Sequence, residues 1–354
     1  MTHPQITPRA IPEEAKRRLR LLFIAKHAQW AGGLHPDDGN HALYHVEVRD
    51  ILRGLGFDLL LADRYEALFD RPDVDFVFTL LNRGGFLNSE MMGPLLCTRA
   101  GIPFLGASPI LRGLADDKHL TKLCAAARGI PTAPWAVYRR GAPVDPARCP
   151  EGQPTPEGPR LVIKPNASSA SWGVQDAYDW AGVEAAIAGI HAQGHDAIVE
   201  PFLDGSDVEV PVITIDGEPV VMPMMLFEQA DPTHLRTYYE KRDLVERAHK
   251  YRLVPFDDAE WMPVIAEHTR RIAEDYRPFD YGRFEFRLDR EGGRVQFLEV
   301  NLQANLWSQK VYGRSAELAG LTQAELIETI LYESLRRHGL LDPAAAASPA
   351  EIPA

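Results

Sequence analysis

Three oxygen-bearing side chains stand on two apolar strands near the carboxyl end of the chain. In "RFEFRLDREGGRVQFLEVN", Glu285 alternates with apolar residues, and Glu299 and Asn301 alternate in the same way on the second strand. Period-two alternation places such residues on one face of a hairpin, and a turn near Gly292 sets Glu285 roughly opposite Glu299. Like charges placed opposite each other cost up to about 1 kcal/mol. A Mg²⁺ ion bound by these oxygens would relieve the repulsion; a solvated polar face with arginine partners is the alternative.

Two lysines stand where an anion could bind. Lys164 ends the apolar run "LVIK" and precedes the small-residue stretch "ASSASWGV", whose backbone N–H groups could approach a phosphate. Lys118 lies in the first turn of a helix predicted to begin after Asp116 or Asp117, where the helix dipole favours anions over cations. A bound phosphate would explain both positions, and an ordinary small-residue loop with a surface lysine is the alternative.

The stretch "AIVEPFLDGSDVEV" combines carboxylates with an apolar wall. Glu200 and Asp207 flank a strand and turn, with Pro201 and Leu203 between them. A strand end of this kind offers backbone groups and apolar side chains to a purine, and a carboxylate to ribose hydroxyls. An ordinary edge strand is the alternative.

Composition excludes several classes of protein. The 354 residues exceed one ordinary core and suffice for two or three domains. A net charge of −12 argues against a general nucleic-acid binder. We find neither an apolar signal segment nor a run near the ~20 residues that span a bilayer, and three widely spaced cysteines suggest no disulfide framework. We therefore expect a cytoplasmic protein without nucleic-acid or membrane partners.

Regular elements must hold these residues in place. Short apolar runs ("LRLLFIA", "DLLLA", "DFVFTLL", "IPFLG") alternate with helical stretches in the first hundred residues, which predicts a parallel, doubly wound sheet. Further on, Asp216-Gly217 predicts a hairpin turn. A capping box at Thr322 and Glu325 predicts the start of the last helix.

Taken in order, these stretches resemble the ATP-grasp superfamily, and specifically the D-alanine–D-alanine ligase group. The resemblance covers the chain from about residue 20 to 338 and rests on "DDKHLTKLCAAARGIPTAPW", "LVIKPNASSASWGV", "AIVEPFLDGSDVEV", "YYEKR", "GRFEFRLD" and "FLEVN". It implies an α/β (α+β) ATP-grasp fold with an N-terminal Rossmann-like parallel-sheet domain. The predicted divisions are an N-terminal extension (1–19), the Rossmann-like domain (20–110), a central ATP-grasp subdomain (111–204), a C-terminal ATP-grasp subdomain with the Mg/ATP site (205–340) and a flexible tail (341–354).

The resemblance also implies roles for individual residues. Glu200 would bind the adenine amino group and Asp207 the ribose, and Arg283 would stabilise the transferred phosphoryl group or an oxyanion. Lys241 and Ser171 would act beside Arg283 at the γ-phosphate. Two Mg²⁺ ions, with Mn²⁺ as an alternative, would be bound by Glu285, Glu299 and Asn301. ATP would be contacted by Lys118, Lys164, Ser169, Ser171, Glu200, Pro201, Leu203, Asp207 and Lys241.

Departures from the family pattern fall on the amino-acid pockets. After Asn301 the chain has Ala304-Asn305 in place of the family's Pro-Gly turn, and Lys310, which could bind a carboxylate, in place of its serine. The N-terminal loop lacks Gly-Gly-x-Ser-x-Glu, and Glu47 would replace the glutamate that binds the first amino group, with Asp37 and Asp38 as alternatives. The hairpin to Glu299 is one residue longer than usual.

Two histidines and six further positions complete the candidate residues. His41 and His45, four residues apart, could bind zinc or make ordinary polar contacts. The predicted substrate residues are Glu47, Asn82, Arg83, Asn305, Trp307 and Lys310.

The resemblance predicts an ATP- and Mg-dependent carboxylate–amine ligase. It would form an amide through an acyl phosphate, release ADP and phosphate, and act on amino-acid-like substrates other than the usual D-Ala pair, in specialised metabolism. Three alternatives remain: a D-alanine–D-alanine ligase proper, an intramolecular cyclo-ligase, and a non-catalytic nucleotide-binding regulator. The expected partners are a small carboxylate and a small amine, and a homodimer is one option because family members are often dimers.

Overall fold

A three-stranded parallel sheet forms the N-terminal part of the protein. The computed structural model describes residues 4–81, 89–150, 159–246 and 249–342. Its first elements are α1 (Glu13–Arg18), β1 (Arg20–Ile24), α2 (His41–Gly54), β2 (Asp58–Ala62), β3 (Phe76–Thr79) and α3 (Met92–Ala100). The strand order β2-β1-β3, with parallel pairing, confirms the predicted parallel sheet. The run "IPFLG" makes only a single bridge, from Phe104 to Val77, since Pro103 has no amide hydrogen for a ladder.

A four-stranded antiparallel sheet forms the middle of the chain. Its strands follow the order β4-β7-β5-β6, and its apolar face packs on one long helix. The elements are α4 (Pro109–Asp116), α5 (Lys118–Ala127), β4 (Ala136–Tyr138), β5 (Leu161–Pro165), β6 (Gln175–Ala177), α6 (Trp180–Ala192) and β7 (Ala197–Pro201). Asp117 is the N-cap of α5, and its side chain accepts the Leu120 N–H, which confirms the predicted helix start.

A six-stranded sheet follows, and it includes the hairpin on which the sequence places the candidate metal ligands. Its elements are β8 (Ser206–Ile215), β9 (Glu218–Val221), β10 (Met225–Gln229), α7 (Tyr238–Lys241), β11 (Tyr251–Pro255), α8 (Trp261–Ala273), β12 (Tyr281–Asp289), β13 (Arg294–Asn301), α9 (Val311–Leu318) and α10 (Gln323–Arg337). The order is β11-β10-β8-β12-β13, with β9 paired to β8. Asp216 and Gly217 join β8 to β9 with φ of 53° and 84°, as expected for the predicted two-residue turn.

The last helix ties the two ends of the chain together. The capping box of Thr322 and Glu325 is present at the start of α10. The apolar face of α10, including Leu326 and Ile330, shares one buried cluster with Phe23 of β1. Among the described residues no helix has the length and apolar content of a membrane span. Beyond residue 342, the predicted tail lies outside the described residues.

Asp280 joins this C-terminal helix to the end of the N-terminal sheet. Its carboxylate is 1% exposed. It accepts the Gly106 N–H at 2.5 Å and two N–H groups of Arg337 at 3.1 and 3.0 Å. Removal of the carboxylate leaves the buried Gly106 N–H without its acceptor and removes the charged partner of Arg337. A buried donor without an acceptor costs more than an average hydrogen bond contributes.

We expect Asp280→Ala to lower the free energy of unfolding by about 2 to 3 kcal/mol. Thermal unfolding followed by circular dichroism measures the effect as a fall in Tm. Glu317→Ala is the matched control, because Glu317 pairs with Arg314 at the surface, with side chains 58% and 42% exposed. Exposed pairs contribute less than about 1 kcal/mol. Equal effects of the two variants would contradict the assigned role of Asp280.

Candidate active site

One large cleft, of about 990 Å³, contains most of the residues predicted from the sequence. Loops before α2, the middle sheet and the six-stranded sheet all contribute to its lining. The predicted residues that line it are Lys118, Lys164, Ser169, Ser171, Glu200, Pro201, Leu203, Asp207, Lys241, Arg283, Glu285, Glu299, Asn301, Asn305 and Lys310. The predicted ATP, metal and phosphoryl-transfer groups therefore face a single space.

Three carboxylates form a row across neighbouring strands of the six-stranded sheet. Glu285 on β12 pairs with Glu299 on β13 and with Glu209 on β8. A bulge follows this pair: Phe286 is opposite Phe297, so Leu298 is the extra residue. The bulge is the additional residue noticed in the sequence, and it places Glu299 rather than Leu298 opposite Glu285. The predicted juxtaposition of Glu285 and Glu299 is thereby confirmed.

Arg283 neutralises part of this row. Its Nε lies 2.5 Å from Glu209 Oε2, and its Nη2 donates to Glu285 Oε1. Burial of Arg283 acts against its charge, but Glu209 and Glu285 outweigh burial and raise its pKa. Glu209 is 3% exposed, and burial raises the pKa of its carboxyl to about 7 although Arg283 opposes the shift. The guanidinium is thus fixed between two carboxylates at the wall of the cleft.

The predicted metal ligands fit a hard cation. Asn301 Nδ2 lies 2.7 Å from Glu285 Oε1 and 3.3 Å from Glu299 Oε1, so all three side chains converge on one point. A carboxylate pair with an amide is the donor set that Mg²⁺ prefers. The assignment of amide oxygen and nitrogen in Asn301 follows from the hydrogen bonds, and the opposite orientation would turn the oxygen toward a cation. The binding of Mg²⁺ by these residues stays a prediction.

Lysines surround the other end of the carboxylate row. Lys118 Nζ lies 3.2 Å from Glu299 Oε2 and donates to the Ser168 carbonyl at 2.7 Å. Lys164 Nζ lies 3.1 Å from Glu200 Oε1. Burial disfavours the charged carboxylate of Glu299, but Lys118 and Lys164 outweigh burial and lower its pKa. Both predicted phosphate lysines therefore stand beside the predicted metal ligands, where a bound triphosphate would meet cations.

A third lysine, Lys122, was missed by the sequence reasoning. It is fully buried, and its Nζ lies 3.4 Å from Glu200 Oε2 and 2.8 Å from Thr132 Oγ1. Glu200 is therefore held between Lys122 and Lys164. The signal was present in the sequence, because Lys122 follows Lys118 by four residues and so lies on the same face of α5. The predicted contact of Glu200 with adenine is not tested by this arrangement.

Asp207 is held by two arginines. Arg287 Nη1 and Arg236 Nη2 each lie 2.8 Å from its carboxylate oxygens. Burial of Asp207 works against its charge, but Arg287 and Arg236 prevail and lower its pKa to about 2. The carboxylate is therefore ionised and fixed at neutral pH. Its predicted contact with ribose stays a prediction.

The predicted loop residues meet each other over the cleft. Lys241, at the end of α7, donates from Nζ to Ser171 Oγ at 2.6 Å. Ala170 and Ser171 have φ of 54° and 59°, a conformation that is uncommon outside glycine and often marks functional loops. Burial, with Arg236 nearby, lowers the pKa of Lys241 to about 8. The two loops thus contact each other beside the predicted phosphate site.

Because the pKa of Lys241 lies near 8 in the free protein, we expect ATP affinity to depend on pH. Phosphate favours the protonated amine, and Lys241 loses its proton as the pH rises through about 8. We therefore expect the Kd for ATP to increase roughly tenfold from pH 7 to pH 9.5, measured by isothermal titration calorimetry. Lys241→Arg, which keeps its charge, is expected to show a flat profile over this range. A similar slope in that variant would assign the effect to another group.

The predicted substrate residues are less concentrated. Asn305 and Lys310 line the cleft, whereas Trp307 packs against the apolar core. Glu47 accepts the backbone N–H and the hydroxyl of Ser308 at 2.9 and 2.7 Å, so it holds the loop after β13. Asn82 and Arg83 lie outside the described residues. The structure thus brings two of the six predicted substrate residues to the cleft lining, and their roles stay predictions.

Histidines gather near the N-terminal edge of the cleft. The rings of His41 and His45 lie 4.6 Å apart, edge to face. Within the described ranges, the compact group of metal-type ligands is a different one, His27, His35 and Asp38. His41 and His45 lie outside this group, and their binding of zinc stays a prediction, with ordinary polar contacts as the alternative.

The chain is similar in sequence to D-alanine–D-alanine ligases. A family model described as "D-ala D-ala ligase C-terminus" matches residues 124–332. A D-alanine–D-alanine ligase of Nocardia farcinica is 28% identical over 275 residues, which is 75% of this chain and 71% of the relative. The uncharacterized protein y4sG of Sinorhizobium fredii is 28% identical over 247 residues, which is 69% of this chain and 70% of the relative.

Solved structures show the same fold. The D-alanine–D-alanine ligase from Bacillus anthracis complexed with ATP has a TM-score of 0.69 at 17% identity, covering 91% of this chain and 99% of that one. The VanG D-Ala:D-Ser ligase from Enterococcus faecalis has a TM-score of 0.66 at 17% identity, covering 90% and 100%. The family model spans more than half of the chain. The protein therefore belongs to the D-alanine–D-alanine ligase family of ATP-grasp enzymes, and it is an ATP-dependent ligase that joins a carboxylate to an amine.

Proposed function

We propose that the protein activates a substrate carboxylate with ATP and transfers the acyl group to an amine, on amino-acid-like substrates other than a pair of D-alanines. The observation that carries the proposal is the row Glu209, Glu285 and Glu299, which faces the same cleft as Lys118 and Lys164. Anionic phosphates need cations and metal ligands in one place, and phosphoryl transfer depends mainly on such positioning. We assign the reaction to specialised metabolism because the amino-acid pockets depart from the family pattern.

The reaction has two chemical steps. A carboxylate oxygen of the substrate attacks the γ-phosphorus of ATP, and ADP leaves. The amine of the second substrate then attacks the acyl carbon, and phosphate leaves as the amine loses its proton. Two Mg²⁺ ions held by Glu285, Glu299 and Asn301 would supply charge neutralisation at the phosphates.

The side chains of the cleft have distinct tasks in these steps. Lys118 and Lys164 offset the charge of the triphosphate, and Arg283 stabilises the charge on the transferred group. Lys241 and Ser171 join the two covering loops, which would exclude water from the acyl phosphate. Glu200 and Asp207 would orient the nucleoside.

Two features favour substrates other than D-alanine. Lys310 lines the cleft at the place of the family's serine, where a point charge could bind a carboxylate. Glu47, the residue proposed to read an amino group, is engaged by Ser308. Both features alter the amino-acid side of the cleft and leave the nucleotide side intact.

Incubation with ATP, Mg²⁺ and a panel of acids paired with amines tests the proposal. A productive pair should release ADP and phosphate, and hydroxylamine should trap the acyl phosphate as a hydroxamate. AMP and pyrophosphate as products would contradict the acyl-phosphate route. Efficient turnover of two D-alanines would restore the D-alanine–D-alanine ligase reading, and turnover of one substrate alone would favour a cyclo-ligase. ATP binding without turnover on any substrate would favour a regulator.

A further inference from the structure

The edge of the cleft formed by the N-terminal part has its own charge pattern. We call this surface the N-terminal wall; it comprises Lys26, Asp38, Asn40, His41 and His45, together with Arg242 from the loop after α7. All six residues line the cleft that holds the predicted ATP and metal groups. The N-terminal wall therefore carries two positively charged side chains and one carboxylate.

The carboxylate of Asp38 is already fully engaged. It is 3% exposed. Its Oδ1 accepts from Arg242 Nη1 at 2.9 Å, and its Oδ2 accepts from His27 Nε2 at 2.8 Å and from Lys26 Nζ. Burial of Asp38 works against its charge, but Lys26 and His27 outweigh burial and hold its pKa far below the usual range. A substrate ammonium group would have to compete with three donors for these two oxygens.

Two N–H donors of the wall lack an acceptor. Arg242 Nε is buried and has no hydrogen-bond partner among the described residues. His45 is 1% exposed, and its Nδ1 accepts the backbone N–H of His27 at 3.3 Å. Its ring proton therefore resides on Nε2, which is likewise buried without a partner in the described part of the chain. Burial lowers the pKa of His45 to about 3, so the ring is neutral at pH 7.

Donors that lack acceptors, and an excess of positive charge, favour an anion. Among the described residues of the wall, Asp38 is the single carboxylate, and it lacks capacity for an ammonium. We propose that the substrate whose carboxylate is activated carries a second oxyanion, of the carboxylate class, which binds at the N-terminal wall between Lys26 and Arg242. The inference rests on the proposed function, since it assigns the far end of the same substrate.

Binding of matched acids tests the inference separately from turnover. Isothermal titration calorimetry is run with Mg²⁺ and the non-hydrolysable ATP analogue AMP-PNP. The series compares succinate, glutarate and adipate with the monoamide and the ω-amino acid of each length, and 4-phosphonobutyrate separates carboxylate from phosphate-type recognition. At the best length, we expect the diacid to bind at least tenfold more tightly than the monoamide and the amino acid.

Substitutions at Lys26 make the test specific. Lys26 is 55% exposed on its side chain, so Lys26→Met should fold, and we expect it to reduce the preference for the diacid about tenfold. Lys26→Glu should shift the preference toward the amino acid. Arg17→Met, which removes one positive charge from the exposed face of α1 outside the cleft, should leave the preference unchanged.

Several results would overturn the inference. These are an amino acid or a monoamide that binds as tightly as the diacid, a diacid that fails to bind at every length, tighter binding of the phosphonate than of glutarate, and a preference that Lys26→Met does not change. ADP release is measured in parallel. Release with amino acids but not with diacids would sink the inference while leaving the ligase function standing, whereas absence of ADP release with every pair would count against the function itself.

Discussion

Glu299→Gln should lower kcat by on the order of a thousandfold, equivalent to about 4 kcal/mol of transition-state stabilisation. Glu299 contacts both a predicted phosphate lysine and the other predicted metal ligands. It lies 3.2 Å from Lys118 and accepts from Asn301 Nδ2 at 3.3 Å, and it lies opposite Glu285 in the sheet. The amide keeps the shape of the side chain but removes its charge. Metal binding should weaken at the same time, because a neutral amide is a poorer ligand for Mg²⁺.

The loss of metal affinity can be measured independently of turnover. Titration of Mg²⁺ into the protein with AMP-PNP present should show a rise in the apparent Kd for the metal of at least tenfold in Glu299→Gln. Glu317→Gln, at the exposed surface of α9, is the matched control and should behave as the unaltered protein does. If Glu299→Gln kept both metal affinity and kcat within about twofold, the metal assignment would be wrong.

Local patterns gave the parts of the site that lie on one element or on one hairpin. Alternation along β12 and β13 placed Glu285 and Glu299 on one face, and the register confirms their pairing. The N-cap at Asp117 and the capping box at Thr322 followed from short-range side-chain chemistry. The same reasoning gave the strand β5, which carries Lys164 next to its last residue. Each of these predictions needs only the alternation of a strand or the capping residue of a helix, and both patterns are visible within a few residues.

Contacts between distant segments could not be read in this way. Glu200 meets Lys122 across 78 positions, and Asp38 meets Arg242 across 204. Glu209 stands two residues after Asp207 and so shares its face of β8, but its role depends on β12 lying beside that strand. Neither period nor composition encodes which strands become neighbours. Lys122 and Glu209, whose roles depend on such neighbours, were therefore found by the structure and missed in the sequence.

Glu209 and Arg283 lead to the second large effect, which concerns positioning. Arg283 contacts two carboxylates, because it donates from Nε and Nη2 to Glu285 Oε1 and its Nε forms an ion pair with Glu209 Oε2. These two contacts fix the plane of the guanidinium, and a planar fork held on two sides leaves its remaining N–H groups directed at one place. A lysine offers a single point charge and cannot keep both contacts. We therefore expect Arg283→Lys to lower kcat by on the order of a thousandfold.

Glu209→Gln separates positioning from direct contact with the reacting groups. The amide keeps the shape of the side chain beside Arg283, but the negative charge that holds the guanidinium is gone. We expect kcat to fall about 30-fold, within the range for misplacement of a catalytic group, while KM for ATP changes less than threefold. Thermal unfolding should show a folded protein, which distinguishes this effect from general destabilisation.

A double-mutant cycle decides whether the two residues act as a unit. If Glu209 works only through Arg283, the double variant should have nearly the same kcat as Arg283→Lys alone. The reason is that Arg283→Lys has already removed the guanidinium that Glu209 positions. Fully additive losses in kcat would instead mean that Glu209 contributes independently, for example as a third carboxylate toward the cation. A kcat for Glu209→Gln within twofold of the unaltered protein would remove Glu209 from the catalytic machinery altogether.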